Sequence, residues 1–203
     1  MLAYRLDRRS RPVVIVPYQE RWPEEFRGIA GRLRTLLGTL ALRIDHIGST
    51  AVPALAAKDI IDLQVTVADL EDMAAFEHAM VREGGYRRRG LLEDHVPLSR
   101  AGSDPAEWRK CFFREPDGAR RTHIHVRQLG RENQRYALLF RDYLRNHPAS
   151  ARLYEQLKRR LAELFPTCVD AYLYIKDPVC DLIMQSAHIW CEDVQWQPGP
   201  SDA

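Results

Sequence analysis

Three short stretches bring together residue types that can do chemistry: Gly48-Ser49-Thr50 in "HIGST", Asp62 in "KDIIDLQV", and His123 and His125 in "RTHIHV". A glycine after an apolar run lets backbone amides approach a ligand with no Cβ in the way, and free turn amides can hold phosphate oxygens. The hydroxyls of Ser49 and Thr50 add donors, although the same letters also describe a capped turn. Asp62 stands among Ile60, Ile61, Leu63 and Val65, where a carboxylate is costly unless it is paired with a basic group or bound to a metal. Strand alternation puts Ile60, Asp62 and Gln64 on one face. Gln64 can hydrogen-bond a ligand or water but brings no charge to a divalent ion. His123 and His125, with Arg121 and Arg127 on the same alternation, can ligate a transition metal, donate to a phosphate, or pack within a sheet. His46 lies on a nearby strand and opens the further option of a His/Asp metal site.

These residues need strands and helices to hold them. "PVVIVPY" reads as a short strand bounded by prolines. Trp22, Phe26, Ile29, Leu33 and Leu36 recur at helical spacing and predict an amphipathic helix over 20–37. "LRIDHIG" and "KDIIDLQVTV" predict strands, and "DLEDMAAFEHAMVREG" a helix that Asp69 caps and Gly84-Gly85 ends. "YRRRGLLEDHVPLSR" reads as weak strands and a turn, and "GSDPAEW" as a loop. "KCFFRE" and "RTHIHVRQL" form a hairpin around Pro116-Asp117-Gly118. From Arg131 the pattern is helical, in three helices, the second opening at Pro148 and the third kinked or restarted at Pro178. The expected layout is α+β: a loose arm at 1–12, one domain at 13–190 with a sheet core (13–130) and a helical block (131–190), and a frayed tail at 191–203.

The chain of 203 residues has a net charge of +2 and 45% hydrophobic residues, which suits one compact domain and argues against wholesale disorder. Lys58, Lys110, Lys158 and Lys176 are the four lysines among 30 basic residues. Genome composition explains an arginine-rich chain, yet the lysines that remain mark places to look. Lys158 and Lys176 can neutralise phosphate if they face the sheet; otherwise they are solvated helix residues. The basic residues are scattered and matched by acids, which disfavours nucleic acid. The run Arg87-Arg88-Arg89 can hold an anionic acceptor or form a solvated turn. Cys111, Cys168, Cys180 and Cys191 show no CxxC spacing, and "VVIV" is too short for a signal or a span. The expectation is a soluble cytoplasmic protein with reduced thiols.

Taken in order, "HIGSTAVPALAAKDIIDLQVTV", "RTHIHV", "LLFRDYLRNHP", "YEQLKRRLA" and "AYLYIKDPVCDLI" resemble the successive motifs of the GrpB family, from about Val14 to Ala187. That family is regarded as a branch of the polymerase-β-like nucleotidyltransferase superfamily and occurs alone or fused to dephospho-CoA kinase. The resemblance implies a nucleotidyltransferase-like mixed sheet flanked by helices. It makes Gly48 and Ser49 the phosphate turn and Asp62 the first metal acid. Gln64 stands where a second acid is expected, and His123 and His125 lie where a third is sought. The implied ligands are an NTP, Mg²⁺ or Mn²⁺ and a small-molecule acceptor. Asp62, His123 and His125 are then the catalytic candidates, with Gln64 joining them around metal. Gly48, Ser49, Thr50, Lys58, Arg121 and Lys176 would bind nucleotide. Two alternatives stay open: a non-catalytic nucleotide- or cofactor-binding module, and a His/Asp enzyme using a transition metal.

Overall fold

Period-two alternation sorts the strands of this protein into one apolar face and one polar face, and that sorting places the site. A computed structural model describes residues 12–203; all but Pro12 of the expected arm lies outside them. Five strands, β1 (Arg43–Ile47), β2 (Ile61–Val67), β3 (Arg87–Glu93), β4 (Arg109–Arg114) and β5 (Thr122–Gln128), form one sheet in the order β1-β2-β5-β4-β3. Only the β2–β5 pair is parallel, so the sheet is mixed as expected. Ile61, Leu63 and Val65 of β2, Ile124 and Val126 of β5 and Phe113 of β4 share one face and are fully buried. Helix α1 (Trp22–Leu37) covers that face with Phe26, Ile29 and Leu33.

On the opposite face Asp62 and Gln64 stand across from His123 and His125 in register. A block of three helices, α3 (Glu132–Asn146), α4 (Pro148–Leu164) and α5 (Val169–Asp193), packs over it around Leu138, Leu139, Tyr154 and Met184. Pro148 opens α4 as expected. Pro178 does not divide α5, which is continuous; it sits on the solvent side, where its missing N–H and displaced carbonyl are tolerated. The Pro116-Asp117-Gly118 turn is present, with the Ala119 amide donating to the Pro116 carbonyl.

Four expectations change. "VVIV" is not a strand: only Val16 pairs, in a single bridge to Ala57, because the prolines at 12 and 17 leave too few donors for a ladder. The helix expected over 69–84 shrinks to α2 (Ala74–Glu77) running into a π-turn at His78–Glu83. Asp69 accepts from the Glu71 amide in a local turn instead of capping it, which lets Leu70 and Met73 fold into the core. The weak strands after Tyr86 resolve into one edge strand, β3, whose register shifts between Arg88 and Leu91.

The tail is the largest difference. Trp196 is buried, and the Ser201 hydroxyl bonds both the amide and the carbonyl of Ile44. Asp202 accepts from the His46 amide and from Arg141, which in turn donates to the His46 carbonyl. These side chains satisfy the outer edge of β1 in place of another strand.

Candidate functional site

The turn between β1 and β2 begins at Gly48, whose φ of 70° favours glycine, and a Cβ there would lie 2.6 Å from Asp62 Oδ2. Backbone and carboxylate are therefore in direct contact at the head of the sheet. His123, level with Asp62 on β5, approaches it with Nδ1 3.1 Å from Oδ1. One ligand atom from each of Asp62, His123 and His125 lies within 4.8 Å of the others. Burial alone would push the Asp62 carboxyl up; the His123 hydrogen bond and the basic groups around it, Lys58 among them, outweigh it and hold the group at about 2. Burial, reinforced by the Lys110 and Arg127 charges, drives His125 well below the usual imidazole range, so its ring is neutral at pH 7. His125 Nδ1 is buried with no hydrogen-bond partner. A carboxylate beside a neutral imidazole with an unengaged nitrogen is a donor set that fits one divalent ion.

The space in front of this cluster is a cleft of about 510 Å³ between the sheet face and the helical block. All four lysines of the chain line it. Lys58 precedes β2 on a loop pinned by Asp59, which accepts from Trp22 Nε1 at 2.7 Å and from Arg120. Its ammonium lies over the Tyr172 ring at 5.4 Å. Ala151, Tyr154, Lys158 and Leu161 form the buried stripe of α4, which sends Lys158 inward. Lys158 Nζ donates to Ser49 Oγ at 2.9 Å and to the Ala56 carbonyl at 2.5 Å, and so clamps the Gly-Ser turn to α4. Burial pulls Lys158 down to about 7 and lowers Lys58 and Lys110 as well. Lys176 is pulled down by burial but raised on balance by Cys180 and by Asp177, which it meets at 2.7 Å.

Of the residues singled out from sequence, Gly48, Ser49, Asp62, His123, His125, Arg127 and the four lysines line this cleft. Thr50, Gln64, Arg121 and His46 do not line it. Thr50 is buried with its hydroxyl 3.0 Å from His46 Nε2. His46 lies on the far face of the sheet, stacked on Phe26 with ring centroids 4.6 Å apart, and burial drives it down to about 3. It is a core histidine and takes no part in the Asp62 cluster. Gln64 is fully buried; its Oε1 accepts from Arg127 and its Nε2 donates to the Gln134 carbonyl, so neither end remains for a metal. Arg87 and Arg88 pair with surface acids on the edge strand β3. Asp94 lines the cleft without having been singled out from sequence. The four-residue stripe of α4 was the available signal for Lys158; for Asp94, in a loop after β3, no periodicity exists to read.

A family model for the GrpB protein matches residues 12–186. The chain belongs to the GrpB family. It is 35% identical over 201 residues to a dephospho-CoA kinase of Mycolicibacterium paratuberculosis, covering 92% of this chain and 49% of that protein. It is 32% identical to the glutamate-rich protein GrpB of Alkalihalophilus pseudofirmus, covering 85% and 94% respectively. The chain spans about half the length of the dephospho-CoA kinases it matches. The crystal structure of GrpB from Enterococcus faecalis superposes with a TM-score of 0.69 at 33% identity, over 86% of this chain and 96% of that one. The RNA terminal uridylyl transferase Cid1 superposes at a TM-score of 0.47 and 14% identity over 73% and 41%, a likeness too slight to bear on function. The GrpB fold thus sets its Gly-Ser turn, the Asp62 cluster and the lysines around one cleft. Among the described residues no helix is long and apolar enough to cross a membrane.

Proposed function

We propose that the cleft binds a nucleoside triphosphate with a divalent metal ion and transfers its nucleotidyl group to a small-molecule acceptor. The convergence of all four lysines and the Gly48-Ser49 turn on the Asp62 cluster carries this reading. Among the described residues neither Lys58 nor Lys158 has a carboxylate in salt-bridge contact, though both are largely buried. Ammonium groups withdrawn from water and held in no salt bridge favour a polyanionic ligand. A metal ion held by Asp62, His123 and His125 would polarise a phosphoryl oxygen as a Lewis acid. With two imidazoles among the donors, Mn²⁺ or another transition metal suits the site better than Mg²⁺. In the transfer, an acceptor oxygen bonds to the α-phosphorus, the bond to the β-phosphate oxygen breaks, and the acceptor proton passes to solvent. Lys58, Lys158 and Lys176 meet the charge that collects on the departing pyrophosphate, which lowers the barrier where that charge exceeds the ground-state charge.

A thermal-shift and pyrophosphate-release screen with ATP, GTP, CTP and UTP, with and without Mg²⁺ or Mn²⁺, tests this on wild type and Asp62→Ala. Metal-dependent stabilisation lost in the variant, with pyrophosphate release in wild type, is the expected result. No stabilisation by any nucleotide would sink the reading. A second reading has its own observation: Gln64 is neutral and tied to Arg127, so the cleft lacks a second free carboxylate on β2. Nucleotide stabilisation without pyrophosphate release, across a panel of hydroxyl, amine and acid acceptors, would make the protein a nucleotide- or cofactor-binding module instead. Such a module could serve a kinase, as the half-length match to dephospho-CoA kinases suggests.

A further inference from the structure

On β2, Gln64 follows Asp62 by two residues on the same face, with His125 directly across from it on β5. A carboxylate at 64 would complete a pair of acids for two ions about 3.5–4 Å apart. The structure puts a cation there instead. Arg127, the next residue on that face of β5, is 5% exposed and sets Nη1 2.6 Å from Gln64 Oε1. It is held from the other side by Asp94, with Nε 2.8 Å from Oδ2 and Nη2 3.1 Å from Oδ1. Asp94 also takes the Lys110 ammonium and an amide hydrogen from Asn133 at 3.1 Å. Asp94, which also lines the cleft, is therefore spent on protein cations. A guanidinium does not lose its charge in a protein, so it stands permanently beside the cluster and opposes a second metal ion there.

We infer that Arg127 takes the place of a second divalent ion, so that the cleft holds one metal ion per chain beside a fixed guanidinium charge. Arg127 acts here as a positioning residue, fixing Gln64 and the local charge. The inference rests on the Asp62 metal reading above, and it narrows the ligand to one that a single exchangeable ion can neutralise.

Equilibrium dialysis of the protein against Mn²⁺ alone, with bound ion counted by mass spectrometry and free ion by electron paramagnetic resonance, tests it. Wild type should bind one Mn²⁺ per chain. Gln64→Asp should still bind one, because the new carboxylate pairs with Arg127. Gln64→Asp combined with Arg127→Lys keeps the charge and should also stay at one. Gln64→Asp combined with Arg127→Gln should rise to two. A second ion in wild type, in Gln64→Asp or in the Arg127→Lys combination overturns the inference while leaving the Asp62 site standing. A folded Arg127→Gln combination that stays at one ion overturns it too. Thermal melting reports folding throughout. If the Arg127→Gln combination does not fold, the other two variants decide: one ion supports and two overturn. Wild type with no bound Mn²⁺ removes the Asp62 metal reading itself, and this inference with it.

Discussion

At the residue scale the site is set by a few contacts with no slack. Gly48→Ala would place a Cβ on the Asp62 carboxylate and ask a non-glycine residue for a φ of 70°. The expected cost is about 1–3 kcal/mol of stability with loss of Mn²⁺ binding, read by melting and metal titration together. Asp62 lies below its unfolded value of about 3.9, held at about 2 in the fold. Its contribution is thus complete above roughly pH 4 and disappears as pH falls through about 2, a loss on the order of 2 kcal/mol. Asp62→Asn should show a shallower fall in melting temperature over that window than wild type. Lys158 has the opposite chemistry. Pulled to about 7 in the fold, it is protonated in the unfolded chain up to its ordinary value of about 10.4. The unfolded state then binds the extra proton between those limits, so stability rises with pH there, by at most about 1.4 kcal/mol per unit from this group. Lys158→Met should flatten that rise. Residue types alone pointed to Asp62 and to the turn. They could not separate His46 from His123, because both are histidines on strands and only the packing of α1 puts one of them against Phe26.

At the element scale the most consequential feature is the edge of β1. Residues 200–203 carry no strand periodicity, and in sequence they look like a loose end. Their side chains nonetheless satisfy the outer amide and carbonyl of Ile44 and the amide of His46, and Asp202 meets the buried Arg141 at 2.7 Å. Asp202→Ala leaves that guanidinium and the His46 amide short of a partner, at an expected cost of about 1–3 kcal/mol. Hydrogen exchange at the His46 amide should accelerate in the variant; unchanged protection would show that water replaces the carboxylate without loss. The strands themselves were readable because their apolar residues repeat every second position. The segment over 69–84 was not, since its first buried residues, Leu70 and Met73, are tucked in by a local Asp69 turn before any helix begins.

At the scale of the whole molecule, four lysines from a loop, a strand and two helices meet in one cleft. They were visible as rarities in an arginine-rich chain, but nothing local says that positions 58, 110, 158 and 176 share a wall. Lys58→Met removes an ammonium that lies over an aromatic ring and forms no salt bridge among the described residues. Nucleotide affinity should drop about tenfold or more, in line with the ~1.5–3 kcal/mol of a hydrogen bond to a charged group, while the melting temperature of the free protein stays level or rises. Calorimetric titration of ATP with Mn²⁺ into both proteins checks it, and equal affinities would move the phosphates away from Lys58.

The sequence by itself determined the family, the α+β layout, the strands that carry Asp62, His123 and His125, and the faces on which they point. Those features follow from backbone geometry, whose periods of 2 and 3.6 are local. Tertiary structure alone decided which candidates meet. Gln64 is neutralised as a ligand by an arginine 63 residues away, and Ser49 is clamped by a lysine 109 residues away. Partners at such separations depend on strand order and on how the helical block settles over the sheet, and no local repeat encodes either.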